Sequence, residues 1–167
     1  MIKFAKERVN LICNQLKGWS IVQKVHLDSM RVKEGCFITP TEADAAPGEW
    51  KNFDMGKDHW YGPDRHYWFR TEVTVPESFD GKELWLRIHT GLNDWDDGRN
   101  PQFLLFINGQ VIQGLDINHR EVFVKANAKA GETFRMDLQS YTGTLHDEFH
   151  LIVDLEEHGG KIGRAHV

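Results

Sequence analysis

Apolar residues at the start of the chain recur at helical spacing. Ile2, Ala5, Val9, Ile12 and Leu16 follow one another at intervals of three and four, which stacks them on one stripe of an α-helix. Gly18 stands where a left-handed residue would end that helix. Beyond it the pattern shortens. Ser20 to Val25 and Leu27 to Val32 are mixed stretches that can form strands, and Thr39 to Gly48, with Pro40, Pro47 and three alanines, reads as a loop.

From Tyr67 the alternation is regular. Tyr67, Phe69, Thr71, Val73 and Val75 alternate with Trp68, Arg70, Glu72 and Thr74, as a half-buried strand requires, and Pro76 ends the run. The turn Phe79-Asp80-Gly81-Lys82 leads into a second alternating strand, Leu84 to Ile88, and Asn93 to Pro101 is a polar loop. Gln102 to Ile107, Asn108-Gly109 and Gln110 to Ile112 form a hairpin signal, because Asn-Gly tolerates the two positive φ values of a type I′ turn. Glu121 to Val124, Thr133 to Gln139 and Phe149 to Val153 supply further strands. Many short strands after one helix predict a mainly β protein, an antiparallel jelly-roll sandwich preceded by an N-terminal amphipathic helix. The expected organisation is a helix over 1–18, a sandwich over 19–155 and a truncated end over 156–167.

Composition narrows the function classes. The chain has 167 residues, enough for one domain with an ordinary core, and a net charge of −5 with no basic cluster, which leaves nucleic acid and anionic membrane without an electrostatic handle. The N-terminus carries Lys3, Lys6, Glu7 and Arg8 and has no apolar run for a signal or a membrane span, so a cytoplasmic location is expected. Cys13 and Cys36 lack paired spacing and are expected to be buried free thiols. The last residues, Lys161 to Val167 (KIGRAHV), are what a common sequencing-library adapter encodes when read one base out of phase. They are expected to be an artefact, with the natural sequence running to about Gly160 and interrupted there.

The densest chemistry lies in Trp50, Phe53, His59, Trp60, Tyr61, Asp64, His66 and Trp68. Exposed indoles beside carboxylates can hold a sugar, the CH face stacking and the hydroxyls hydrogen-bonding. Large aromatics in a core or an interdomain contact are the plainer reading, and the favoured one. His59, Asp64 and His66, and separately Asp116, His119 and Glu121, have metal-ligating side chains without a ligand spacing, so no metal site is expected. Asp94, Asp96, Asp97, Asn93 and Asn100 lack the calcium-loop pattern and read as a solvated loop. No nucleophile elbow or phosphate loop is present, and no catalytic residue is expected.

The segments Gly62 to Arg70 (GPDRHYWFR), Asn100 to Leu105 (NPQFLL) and Gln113 to Val122 (QGLDINHREV), added to Tyr67 to Pro76, the Phe79 to Lys82 turn, Leu84 to Ile88 and Phe103 to Gly109, carry a resemblance. Together they resemble the leading, galactose-binding-like β-sandwich domain of glycoside hydrolase family 38 α-mannosidases of the cytosolic and bacterial type, over nearly the whole chain to about Phe149.

That resemblance implies a parent enzyme that hydrolyses terminal α-mannosides with retention, using a carboxylate nucleophile and a zinc or other divalent ion held by His and Asp in a later catalytic domain. No position here matches those residues, and no cofactor is expected in this segment. The expected partners are the downstream catalytic domain, a second subunit in a homo-oligomer, and mannosides or oligosaccharides. The expected role is structural and interdomain. Two other readings stand beside it. One is a carbohydrate-binding module using Trp60, Asp64, His66, Asp116 and His119; the other is the leading sandwich of a different glycosidase, such as a β-galactosidase-like enzyme, against which the GLDINHREV stretch argues.

Overall fold

The computed structural model describes residues 3–91, 101–144 and 148–159. Helix α1 (Lys3–Ser20) runs directly into β1 (Ile21–His26), followed by β2 (Ser29–Glu34), a short α2 (Pro40–Ala45), β3 (Lys51–Asp54), β4 (Trp60–Tyr61) and β5 (His66–Thr74). Then come β6 (Leu84–His89), β7 (Gln102–Ile107), β8 (Gln110–Leu115), β9 (Glu121–Lys125), β10 (Thr133–Tyr141), β11 (Glu148–Phe149) and β12 (Ile152–His158). A four-stranded sheet, β1-β12-β6-β9, faces a six-stranded one, β3-β2-β5-β10-β7-β8, and β11 pairs with β4 in a small third sheet. Every pairing is antiparallel, which gives the mainly β jelly-roll-type sandwich the pattern predicts.

Alternation decides what fills the space between the sheets. Leu84, Leu86 and Ile88 of β6 point inward, while Trp85, Arg87 and His89 point out. Phe69 and Val73 of β5, Phe134, Met136 and Leu138 of β10, and Val153 and Leu155 of β12 meet them in one core. The β7–β8 turn has positive φ at both Asn108 (49°) and Gly109 (79°), as the type I′ expectation requires. Asn108 Oδ1 also accepts the Arg135 amide at 2.9 Å.

The outer face of the six-stranded sheet carries a second, smaller core of Ala43, Trp68 and Phe106, flanked by Phe37, Trp50 and Leu104. Here the loop expected over Thr39 to Gly48 contains α2, because the Thr39 hydroxyl caps the Glu42 amide at 3.2 Å and Pro40 sits in the first turn. Lys33 closes the other end of that helix by donating to the Ala43 and Ala46 carbonyls, both at 2.7 Å. Below α2, Asp137 is wholly buried and is held by the guanidinium groups of Arg70 and Arg135; the Arg70 guanidinium also reaches Asp44 and lies over the Trp50 ring.

Three expectations change. The first helix does not end at Gly18 but continues through Ser20 into β1, and Val9 and Ile12 of its apolar stripe are 56% and 54% exposed, so the sandwich does not bury these two residues. The strand expected over Phe149 to Val153 is broken at His150-Leu151, where the chain leaves the small sheet for the four-stranded one. Cys13 and Cys36 are free but exposed rather than buried. The loop carrying Asp94, Asp96, Asp97 and Asn100 lies outside the described residues.

Candidate functional site

The segment between β4 and β5 makes a tight turn at one rim of the sandwich. Gly62 has φ 108° and Asp64 φ 56°, both in the left-handed region that glycine and aspartate tolerate best. The turn is pinned to the end of β10. The Asp64 amide donates to the Gly143 carbonyl at 2.6 Å, the Thr142 amide to the Arg65 carbonyl at 3.0 Å, and the Arg65 amide to the Thr142 hydroxyl at 3.0 Å. That hydroxyl in turn donates to the Gly62 carbonyl at 2.6 Å.

Side chains from this turn then face one another. The Tyr141 hydroxyl donates to Asp64 Oδ1 at 2.9 Å, a bond that holds its proton and raises the phenol above its ordinary range. The His66 ring stacks on Tyr141 with centroids 4.7 Å apart. Arg65 Nη1 pairs with Glu34 Oε1 at 2.7 Å, and the Tyr67 hydroxyl donates to the Tyr61 carbonyl at 2.8 Å. Burial, aided by the Glu34 charge, raises the Tyr67 phenol. The result is an open cleft of about 650 Å³ walled by Glu34, Tyr61, Gly62, Pro63, Arg65, Tyr67 and Glu148. Its chemistry is that of a neutral, hydroxyl-rich ligand: two tyrosine rings, a fixed cation and two carboxylates.

The other sequence candidates fall elsewhere. Trp60 is only 2% exposed and packs on Tyr67, Phe69, Phe103 and Phe149, with its indole N–H donating to the His150 carbonyl at 3.2 Å. The neighbouring Tyr61, 56% exposed, is the ring that meets solvent. Trp68 and Phe53 are also buried, so the plainer, core reading holds for most of the aromatic set.

Asp116 and His119 come together in the β8–β9 connection. There Asp116 Oδ1 accepts the Asn118 amide at 2.8 Å, the His119 amide at 2.7 Å and the His119 ring at 3.0 Å. Burial alone would raise the Asp116 carboxyl, but those backbone donors outweigh it and hold it below the usual range. His119, 69% exposed, edges a shallow cleft of about 450 Å³ with Trp85, Arg87 and Gln113. Nearby His89 is pushed down to about 4, first by burial and then by the charges of Arg87 and Arg120.

Register places both clusters at the same end of the six-stranded sheet, since Tyr141 pairs with His66 and Gln102, and Phe103 with Leu115. They are nevertheless three strands apart, roughly 14 Å. The five candidates therefore form two polar clusters and one core residue, not one site. Sequence reasoning passed over Glu34 and Glu148 as wall residues because their strands lie far from the Gly62 turn along the chain. Among the described residues, no three His, Cys, Asp or Glu side chains converge as metal ligands.

The fold has solved counterparts. It is similar to part of a β-glucuronidase from Faecalibacterium prausnitzii, with TM-score 0.51 and 14% identity over 81% of this chain and 31% of that one. It is also similar to part of a putative β-galactosidase from Bacteroides fragilis, with TM-score 0.52 and 12% identity over 81% of this chain and 23% of the other. The chain thus spans under a third of the proteins it resembles, and at such identity the likeness is one of fold. No protein-family profile matches the sequence, and no curated protein does.

Proposed function

We propose that this chain is a non-catalytic β-sandwich domain of a glycosidase, with a structural and interdomain role, and that the parent is a cytoplasmic α-mannosidase of glycoside hydrolase family 38. The observation that carries the coarser reading is the shared jelly-roll fold, present in two much longer proteins named as glycosidases. The finer reading rests on the resemblance of Gly62 to Arg70, Asn100 to Leu105 and Gln113 to Val122. Catalysis and the zinc ion would come from residues outside this chain. The exposed apolar side of α1 gives the domain a surface for the rest of its protein or for a second subunit. Sequencing the source locus beyond this segment tests the reading: a following domain with a His/Asp metal set supports it, and a β-glucuronidase or β-galactosidase domain replaces the mannosidase with another glycosidase.

A carbohydrate-binding role has one observation in its favour, the exposed Tyr61 ring beside Arg65, Glu34 and Glu148 in a sugar-sized cleft. Affinity electrophoresis in mannan tests it. Retardation that Tyr61→Ala abolishes supports a binding module, and unretarded migration removes it.

A further inference from the structure

The ladder between β4 and β11 pairs Trp60 with Phe149 and Tyr61 with Glu148. Trp60 and Phe149 point into the core, so alternation turns their neighbours outward, and His59, Tyr61, Glu148 and His150 are all exposed. His59 and His150 flank the buried pair and meet across the ladder. Their Nε2 atoms are 3.2 Å apart, and the ring centroids 4.1 Å. Two imidazoles bound to one tetrahedral ion at about 2.0 to 2.1 Å place their nitrogens about 3.3 Å apart. The nitrogen separation matches that distance, while the centroids, which such an ion would set about 5 Å apart, stand closer, so binding would swing the two exposed rings apart about their side-chain torsions.

The His150 backbone is fixed by the Trp60 indole, which donates to its carbonyl at 3.2 Å. Without an ion, the two nitrogens can share one proton, an exposed hydrogen bond that competes with water and contributes little. We propose that His59 and His150 form a two-imidazole site for a divalent late-transition-metal ion such as zinc or copper(II). The remaining coordination positions fall to water or to oxygen ligands from the adjoining cleft, whose Tyr61 and Glu148 share the same outward face. An ion held by both strands would staple a ladder only two residues long on each side and stabilise the folded state. This inference does not depend on which glycosidase the domain serves.

The test uses the purified 167-residue chain, stripped with chelator and titrated with zinc or copper(II). Calorimetry reads stoichiometry, tryptophan fluorescence reads quenching by copper, and thermal melting reads stabilisation. The expected result is a single ion per chain, a raised Tm, and affinity that falls as acid protonates the imidazoles. His59→Ala and His150→Ala should each weaken binding roughly a hundredfold, the advantage of a second ligand held in place. The double variant should bind more weakly than either, and His119→Ala should bind as the parent does. Unchanged affinity in His59→Ala and His150→Ala, with circular dichroism confirming the fold, overturns the proposal, as does the absence of binding by the parent chain.

Discussion

The Thr142 hydroxyl donates to the Gly62 carbonyl at 2.6 Å while accepting the Arg65 amide at 3.0 Å, so one fully buried side chain holds both ends of the turn that walls the cleft. Thr142→Val keeps the shape and removes both bonds, leaving two backbone groups without a partner. The expected loss is about 1 to 3 kcal/mol, read from the urea midpoint. Thr142→Ser, which keeps the hydroxyl, should retain most of it.

Asp137 is the buried charge on which Arg70 and Arg135 converge. Asp137→Ala removes the buried acceptor and leaves both guanidinium groups with Asp44 as their remaining carboxylate, and should cost about 1 to 3 kcal/mol. Adding Arg70→Met to that variant should recover part of the loss, a coupling that a double-mutant cycle measures directly.

Trp60 and Tyr61 are adjacent in sequence and opposite in consequence. Trp60→Ala opens a cavity among four aromatic rings and should cost about 3 to 5 kcal/mol. Tyr61→Ala should leave stability within about 0.5 kcal/mol, because most of that ring already meets water. Chemical denaturation of the two variants side by side distinguishes them.

His89 makes the fold acid-sensitive. Its ring titrates at about 4 in the folded chain against 6.5 when unperturbed, so between those values the unfolded state binds the extra proton. Stability contributed by the neutral ring is complete above about pH 6.5 and is lost as pH falls toward 4. For a half-buried ring, solvent screening reduces this to about 1 to 2 kcal/mol. Denaturation midpoints across that range should flatten in His89→Asn.

Much of this architecture is written in local pattern. The alternation of Leu84 to His89 and the Asn108-Gly109 turn need only neighbours to specify them, and both stand as the sequence predicts. What lay outside its reach depends on distance along the chain or on parity. The β4 strand has two residues, too few for alternation to declare that Trp60 points in and Tyr61 out. Thr39 and Pro40 begin a helix whose far end is secured by Lys33, a contact that the proline-rich composition of the segment conceals. His59 and His150 are 91 residues apart, so the sequence set His59 beside Asp64 and His66, while the ladder pairs it with His150.

The central claim is that this sandwich is a non-catalytic domain of a glycosidase. The most direct measurement is hydrolysis of nitrophenyl glycosides by the gene product recovered from the source locus, assayed beside the present chain. The account predicts release from the α-mannoside by the longer protein, zinc-dependent, and none by this chain alone. A longer product inactive on every glycoside, or turnover by this chain alone, would contradict it.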